Sequence, residues 1–462
     1  MQTECSAEVF EFARVEKRAV VAAFDGGRIT SDAGALLLGL TDRAIGLVGR
    51  LADCFEDARR PELIEHEVRT LVGQRVIGIA LGYEDLNDHD ELRHDPVMAV
   101  LAGKLGPRRQ KKCAPAAGKS TLNRLELSLS EPSRYKKISY VPEAIEALFV
   151  DLFLDAHAGA PDQIVIDLDA TDDPVHGDQE GGFFHGYYDC FCYLPLYVFC
   201  GRHLLAAKLR TADRDAADGS VEEMERIIGQ IRARWPKVRI VLRADSGFAR
   251  QTLMAWCEDH AVDYVFGLQG NVRLQAGIAA ELDQAKAACI ADGGKPKRAF
   301  KDFSYRPHRN AWSRARRVVG KAEWTQDEAN PRFVVTSLAD EAWPAQKLYE
   351  ELYCARGEME NRIKECQLDL FADRTSAATL RANQLRLWFA SFAYVLLCAL
   401  RRVGLHHTRL ENAACSTLRL KLLKIGALVR TSVRRIKLAM ASACPFQREW
   451  AIAYARLQAQ AA

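Results

Sequence analysis

The sequence predicts an α/β protein in which a mixed sheet carries helices, is interrupted by a β-rich insertion and is flanked by helical N- and C-terminal regions. Three observations predict it. Short apolar runs bounded by Gly, Pro or acidic residues recur between 163 and 269, and runs of that length read as buried strands. Amphipathic stretches at 219–235 and 249–260 alternate with them, which is helical spacing. Beyond 376 the apolar spacing is helical throughout, with breaks at Gly404 and Gly426.

Taken in order, residues 18–24 read as a strand ending at Asp25-Gly26-Gly27, and Ser31-Asp32 caps a following helix. Helical patterning runs through 60–82, and 84–96 is polar and loop-like. Residues 103–120 are rich in Gly, Pro and base, and Ser120 is placed to cap a helix containing Glu126. A short helix after a basic loop suits a DNA-reading helix-turn-helix unit, a pattern shared with plain helical linkers. QIVIDLDA is a buried strand; 190–200 and 203–212 form two more across the Gly201-Arg202 turn. A helix at 219–235, capped by Asp218 or Ser220, precedes the strand 238–245; the helix 249–260 precedes the strand 263–269. The order β-β-β-α-β-α-β is the ribonuclease-H-like arrangement. A helix at 272–290 and strand-like pieces up to 338 then form the insertion. The expected organisation is an N-terminal mainly helical DNA-binding region (1–155), the first part of the core (156–270), the insertion (271–340), a core helix (341–375) and a basic helical C-terminal region (376–462).

Composition narrows the class. Hydrophobic content of 48% and charged content of 27% are ordinary for a globular chain. The most apolar stretch, 387–400, falls short of the roughly 18 residues of a membrane span, so a buried helix and no membrane are expected. The N-terminus lacks the basic and apolar regions of a secretion signal, and a cytoplasmic, nucleoid-associated location is expected. Thirteen cysteines without regular spacing read as reduced core residues. The net charge of +3 is uneven: residues 401–462 hold 12 Lys/Arg against Glu411 and Glu449. A basic tail on a mildly acidic body suits nucleic acid.

Three carboxylates stand out. Asp169 and Asp245 each follow an apolar strand, and Glu360 lies in LYEELYCARGEMENRIKECQ. Tyr353, Arg356 and Glu360 recur at helical spacing, i, i+3 and i+7, on one face. Neighbouring strands would set the two aspartates close together, which is costly unless a cation neutralises them. Oxygen ligands suit Mg²⁺ or Mn²⁺, and a third carboxylate completes a site for two ions about 4 Å apart. Asp167 lies on the same strand face as Asp169; Asp169, nearer the strand's open end, is preferred. Asp172 and Asp173 follow as possible supporting groups. Arg356 suits bidentate phosphate binding, Tyr353 can donate to a phosphate oxygen, and Lys364 adds charge one turn on. His176 and His185 read as structural or DNA-facing. RPHRNAWSRARR, with His308 and Trp312, reads as a DNA-backbone strip or an exposed hairpin face. Arg430, Arg434, Arg435 and Lys437 form the strongest basic patch, read on a helix.

ATDDPVHGDQEGGFFHGYY, LRADSGFA and the Tyr-x2-Arg-x3-Glu run followed by NRIK resemble the DDE transposases of bacterial insertion sequences. DGGRITSDAGALLL, ALGYEDLNDHDELRHDP and TLRLKLLKIGALVRTSVRRIKLAMAS are similar to the group known as insertion-sequence family thirteen-eighty. The resemblance implies a ribonuclease-H-like catalytic core with a β-rich insertion before the glutamate. It implies binding to terminal inverted repeats of double-stranded DNA, Mg²⁺-dependent cleavage of the ends, and strand transfer into target DNA. It makes Asp169, Asp245 and Glu360 the metal ligands and Tyr353 and Arg356 DNA contacts. Synapsis of two ends would imply a homodimer on DNA. One departure stands: relatives carry Lys seven residues after the glutamate, where this chain has Gln367. A nuclease of the same fold that cuts without joining, or a non-catalytic DNA-binding descendant, are the alternatives; the intact acids argue against the latter.

Overall fold

A computed structural model describes residues 8–104, 113–307, 311–325 and 328–461. Residues 105–112 of the basic loop and His308 of the proposed DNA strip lie outside the described residues. The chain forms two compact units, one of residues 140–391 and one of 1–139 with 392–462.

The 140–391 unit is built on an eight-stranded sheet. Its strands are β1 (Gln163–Ala170), β2 (Leu196–Cys200), β3 (His203–Lys208), β4 (Arg239–Ala244), β5 (Asp263–Leu268), β6 (Lys297–Tyr305), β7 (Arg316–Trp324) and β8 (Arg332–Thr336). The order is β3-β2-β1-β4-β5-β8-β7-β6. β1, β4 and β5 run parallel; β2 is antiparallel to them, and β3, antiparallel to β2, runs in their direction again. This is the ribonuclease-H-like arrangement the sequence predicts. The insertion is not a separate β body: β8 pairs with β5, and β7 and β6 continue the same sheet.

Period-two alternation divides the sheet's faces. Ile164, Ile166 and Leu168 of β1, with Ile240 and Leu242 of β4, face one large core. That core receives Phe153 from the helix Pro142–Asp155, Ile227 and Ile231 from Ser220–Arg234, and Leu253 and Met254 from Gln251–Asp259. The odd positions face the other way. Val241 of β4 and Val265 of β5 pack there against Leu348, Tyr349 and Leu352 of the helical run that leads to Glu360. Asp167, Asp169 and Arg243 share that odd face. Asp167 and Arg243 are directly opposed across β1 and β4, and their ion pair is doubly bonded, at 2.5 and 2.8 Å. Arg243 also donates to the Leu352 carbonyl at 2.6 Å.

Several expected elements end differently. Residues 190–200 are two strands, because Pro195 has no N–H to donate. Cys190–Tyr193 joins Asp173–Pro174 and Phe183–His185 in a small antiparallel sheet, while Leu196–Cys200 joins the main one. The helix at 219–235 is preceded by Gly219 in the left-handed conformation, with no side-chain cap. The stretch 272–290 is two helices, Val272–Gly277 and Ala279–Ala291. The helix expected from Ser120 begins at Lys119, and its Glu126 is fully buried in an ion pair with Arg75 at 2.6 Å. The apolar run at 387–400 is part of a longer helix, Leu380–Gly404, which has the length and hydropathy of a membrane span but is mostly buried. The C-terminal basic patch is not helical: Ala427–Thr431 and Ile436–Met440 form a hairpin, and Ala427 and Leu428 pair with Thr30 and Ile29.

Removing one partner of a buried ion pair strands the other charge, at a cost of about 3–5 kcal/mol. Arg243→Met is therefore expected to lower stability by that amount in urea denaturation. The double variant Asp167→Leu/Arg243→Met should recover most of the loss.

Candidate active site

The parallel pairing of β1 and β4 brings the first two acids level. The ladder ends with Ala244 opposite Leu168, so Asp245 and Asp169 are the next residues on neighbouring strands. Asp245 then turns out of the strand as the cap of a short 3₁₀ turn, its Oδ1 accepting from the Gly247 N–H at 2.8 Å. Asp169 is 9% exposed and Asp245 is half-buried. Glu360 is delivered by the helix Gly357–Lys364 and is exposed. All three acids line one cleft of about 490 Å³, together with Lys364 and Gln367.

Arg356 stands between two of them. Its Nη2 donates to Asp169 Oδ2 at 3.1 Å and its Nη1 to Glu360 Oε1 at 3.0 Å. Burial nevertheless pushes the Asp169 carboxyl up to about 6; Arg356 pulls it down, while Asp245 and Glu360 push it further up. Burial among other acids raises the cost of ionising such a group, and a nearby positive charge offsets it. Three carboxylates with one guanidinium as their counter-charge are a donor set that fits a hard divalent cation. Asp167, the rival to Asp169, is committed to Arg243 and has no place in the cleft lining.

The helical run bearing Glu360 is irregular. Leu348–Tyr353 is a π segment, Cys354–Arg356 is 3₁₀, and Glu365–Asp369 is again π. Regular i, i+3, i+7 spacing is broken between Tyr353 and Glu360. Tyr353 does not line the cleft; it is half-buried, 5.5 Å from the Tyr349 ring, with its hydroxyl lying against Gly267 of β5. Lys364 is exposed at the cleft. Gln367, in the place of the expected lysine, donates Nε2 to the Asp172 carbonyl at 2.9 Å and so ties this run to the loop after β1.

That loop and its small sheet form a flap beside the acids. His185, Tyr187 and Tyr188 of the flap line the cleft. The Tyr188 hydroxyl donates to the Ala170 carbonyl at 3.4 Å; burial and the nearby Asp172 and Asp169 charges push its pKa up, so it remains a donor. Sequence reasoning assigned no role to Tyr187 and Tyr188. Their signal was two adjacent aromatics after Gly186 between strand-like runs. His176 does not line the cleft. Asp172 contributes its carbonyl, and Asp173 is buried beneath the flap, accepting from Thr375 Oγ1 at 2.9 Å.

The remaining basic residues divide in two. Arg430, Arg434, Arg435 and Lys437 are all exposed on the hairpin of the other unit. The described residues of the strip at 306–317 are largely spent internally: Trp312 is buried, Arg316 is bidentate to Glu258 at 2.7 and 2.9 Å, and Arg317 pairs with Asp302.

A family model described as Transposase DDE domain group 1 matches residues 12–462. No curated protein matches the chain. Among solved structures, a piggyBac transposase synaptic complex with hairpin DNA matches at 10% identity and a TM-score of 0.38, covering 85% of this chain and 80% of that one.

Burial pushes the Asp173 carboxyl up to about 7 from its ordinary 3.8, with Asp373 and Asp172 adding to the rise. An acid whose pKa is raised on folding stabilises the fold below its unfolded pKa, and that contribution is lost as pH rises through its folded value. The contribution of Asp173 is expected to fall between pH 4 and pH 8. Asp173→Asn should remove roughly 4 kcal/mol or less of that slope, measured as the difference between the two proteins in urea titrations across this range.

Proposed function

The chain belongs to the family of transposases with a DDE domain of group 1, and on that premise we propose that it binds the terminal inverted repeats of an insertion sequence, cleaves the DNA ends and joins them to target DNA. The observation that carries this reading is the meeting of Asp169, Asp245 and Glu360 in one cleft, with Arg356 bonded to two of them. These acids would hold Mg²⁺ or Mn²⁺, as a pair of ions. Bound there, the cations supply charge neutralisation at phosphorus and acidify a water or a DNA 3′-hydroxyl.

The chain's own residues do the rest. The Asp245 carboxylate is aimed by the Gly247 N–H, and Asp169 by its place on β1. Arg356 serves as a counter-charge to Asp169 and Glu360. Its planar fork would also suit a phosphate, gripped bidentately. Lys364 adds positive charge at the cleft, in the part otherwise played by a lysine at the position of Gln367. Tyr353, packed on the sheet, holds the start of this helical run and contacts DNA only at its edge. The exposed Arg430, Arg434, Arg435 and Lys437 bind duplex backbone through salt-sensitive contacts. Two ends must be held together for joining, which calls for a homodimer on DNA.

Incubation of the protein with a labelled transposon end and Mg²⁺ tests the reading. Cleavage and joining are expected from the wild type. Asp245→Ala should lose both by at least about 10²–10³-fold while still retarding the DNA in a gel. Unchanged cleavage by that variant sinks the site assignment, and cleavage without joining by the wild type favours a nuclease.

A further inference from the structure

The flap tip presents an aromatic ring that the protein itself does not bury. Tyr187 is 84% exposed, yet it lines the same cleft as Asp169, Asp245 and Glu360. Its ring meets Tyr188 edge-on at 5.0 Å. Tyr188 is half-buried and bonded to the carbonyl of Ala170, the residue after Asp169. The loop is closed by Asp189, in the left-handed conformation at φ 54°, whose N–H donates to the His185 carbonyl at 2.9 Å. The tip is therefore anchored to the strand end that bears the first acid, and the Tyr187 ring is held beside the place where phosphate would be cut. The side chains that the flap itself brings to the cleft are aromatic rings, His185, Tyr187 and Tyr188. An uncharged aromatic face suits a nucleobase. A base inside a duplex has both faces stacked, whereas an unpaired base swung out of the stack has a face to offer.

We propose that Tyr187 is a stacking platform for an unpaired nucleobase next to the phosphate being cut. The inference rests on the transposase reading and narrows its substrate to a DNA end with unstacked nucleotides at the cleft. Tyr187 acts by positioning; the acids remain the reacting site.

The test uses the full chain with Ca²⁺ in place of Mg²⁺, so that binding is read without cleavage. Two probes share one sequence: a blunt duplex, and the same duplex with a short single-stranded extension carrying 2-aminopurine. The wild type is expected to bind the extended duplex more tightly and to quench its fluorescence. Tyr187→Ala should lose the quench and weaken extended-duplex binding about 5- to 100-fold, with blunt-duplex binding unchanged. Tyr187→Phe, which keeps the ring, should keep both signals. Undiminished quenching by Tyr187→Ala, or equal weakening on both probes, overturns the proposal and leaves the transposase reading intact. Failure of the wild type to bind either probe overturns both.

Discussion

The cleft depends on how negative charge is neutralised on one face of a sheet. β1 places two aspartates, Asp167 and Asp169, on its odd positions, and both are pressed under the helical run that carries Glu360. Burying unpaired carboxylates there would be prohibitive. Two guanidinium groups solve the problem differently. Arg243 lies opposite Asp167 in the ladder and closes it into a permanent, doubly bonded pair. Arg356 comes from the helical run and only borders Asp169 and Glu360, one bond to each. Asp167 has a dedicated partner within the sheet, whereas Asp169 shares Arg356 with Glu360. That difference separates an acid closed into the sheet from one that lines the cleft two residues away.

The same arrangement couples fold to chemistry. Arg243 also reaches the Leu352 carbonyl, so the salt bridge that stabilises the sheet fixes the start of the run bearing Arg356 and Glu360. At the far end, Gln367 bonds the loop after β1. The segment that delivers the third acid is thus fastened on both sides to the strands that deliver the first two.

Much of this was legible in the sequence. Apolar runs ending in Asp169 and Asp245 were recognisable because buried strands leave contiguous β-formers, and an aspartate at a strand end is a local feature. Glu360 was recognisable from its spacing to Arg356 on one helix. What escaped were features decided by partners distant in sequence. Asp167 and Asp169 could be ranked by position, but the reason Asp167 is committed lies 76 residues away, at Arg243. Val429, Val433, Ile436 and Met440 of the tail hairpin fit helical spacing as well; pairing with Ile29 and Thr30 decides for strands. Trp312 and Arg316 looked like a DNA strip because sequence does not reveal that Glu258 waits for the arginine. Tyr353 has helical spacing to Glu360 in the sequence, while the π segment at Leu348–Tyr353 alters its direction.

The joining of the insertion to the main sheet bears on modularity. β8 takes up the free hydrogen-bonding edge of β5, which would otherwise stand as an open template for another chain. The exposed border of the sheet is thereby moved outward to β6, whose Lys297, Arg298, Lys301 and Asp302 interleave charge along it, as solvent-facing borders require. The segment between the second and third acids is therefore not a detachable cassette. A shortened relative lacking it would need some other cover for β5, or it would trade a smaller protein for one prone to self-association.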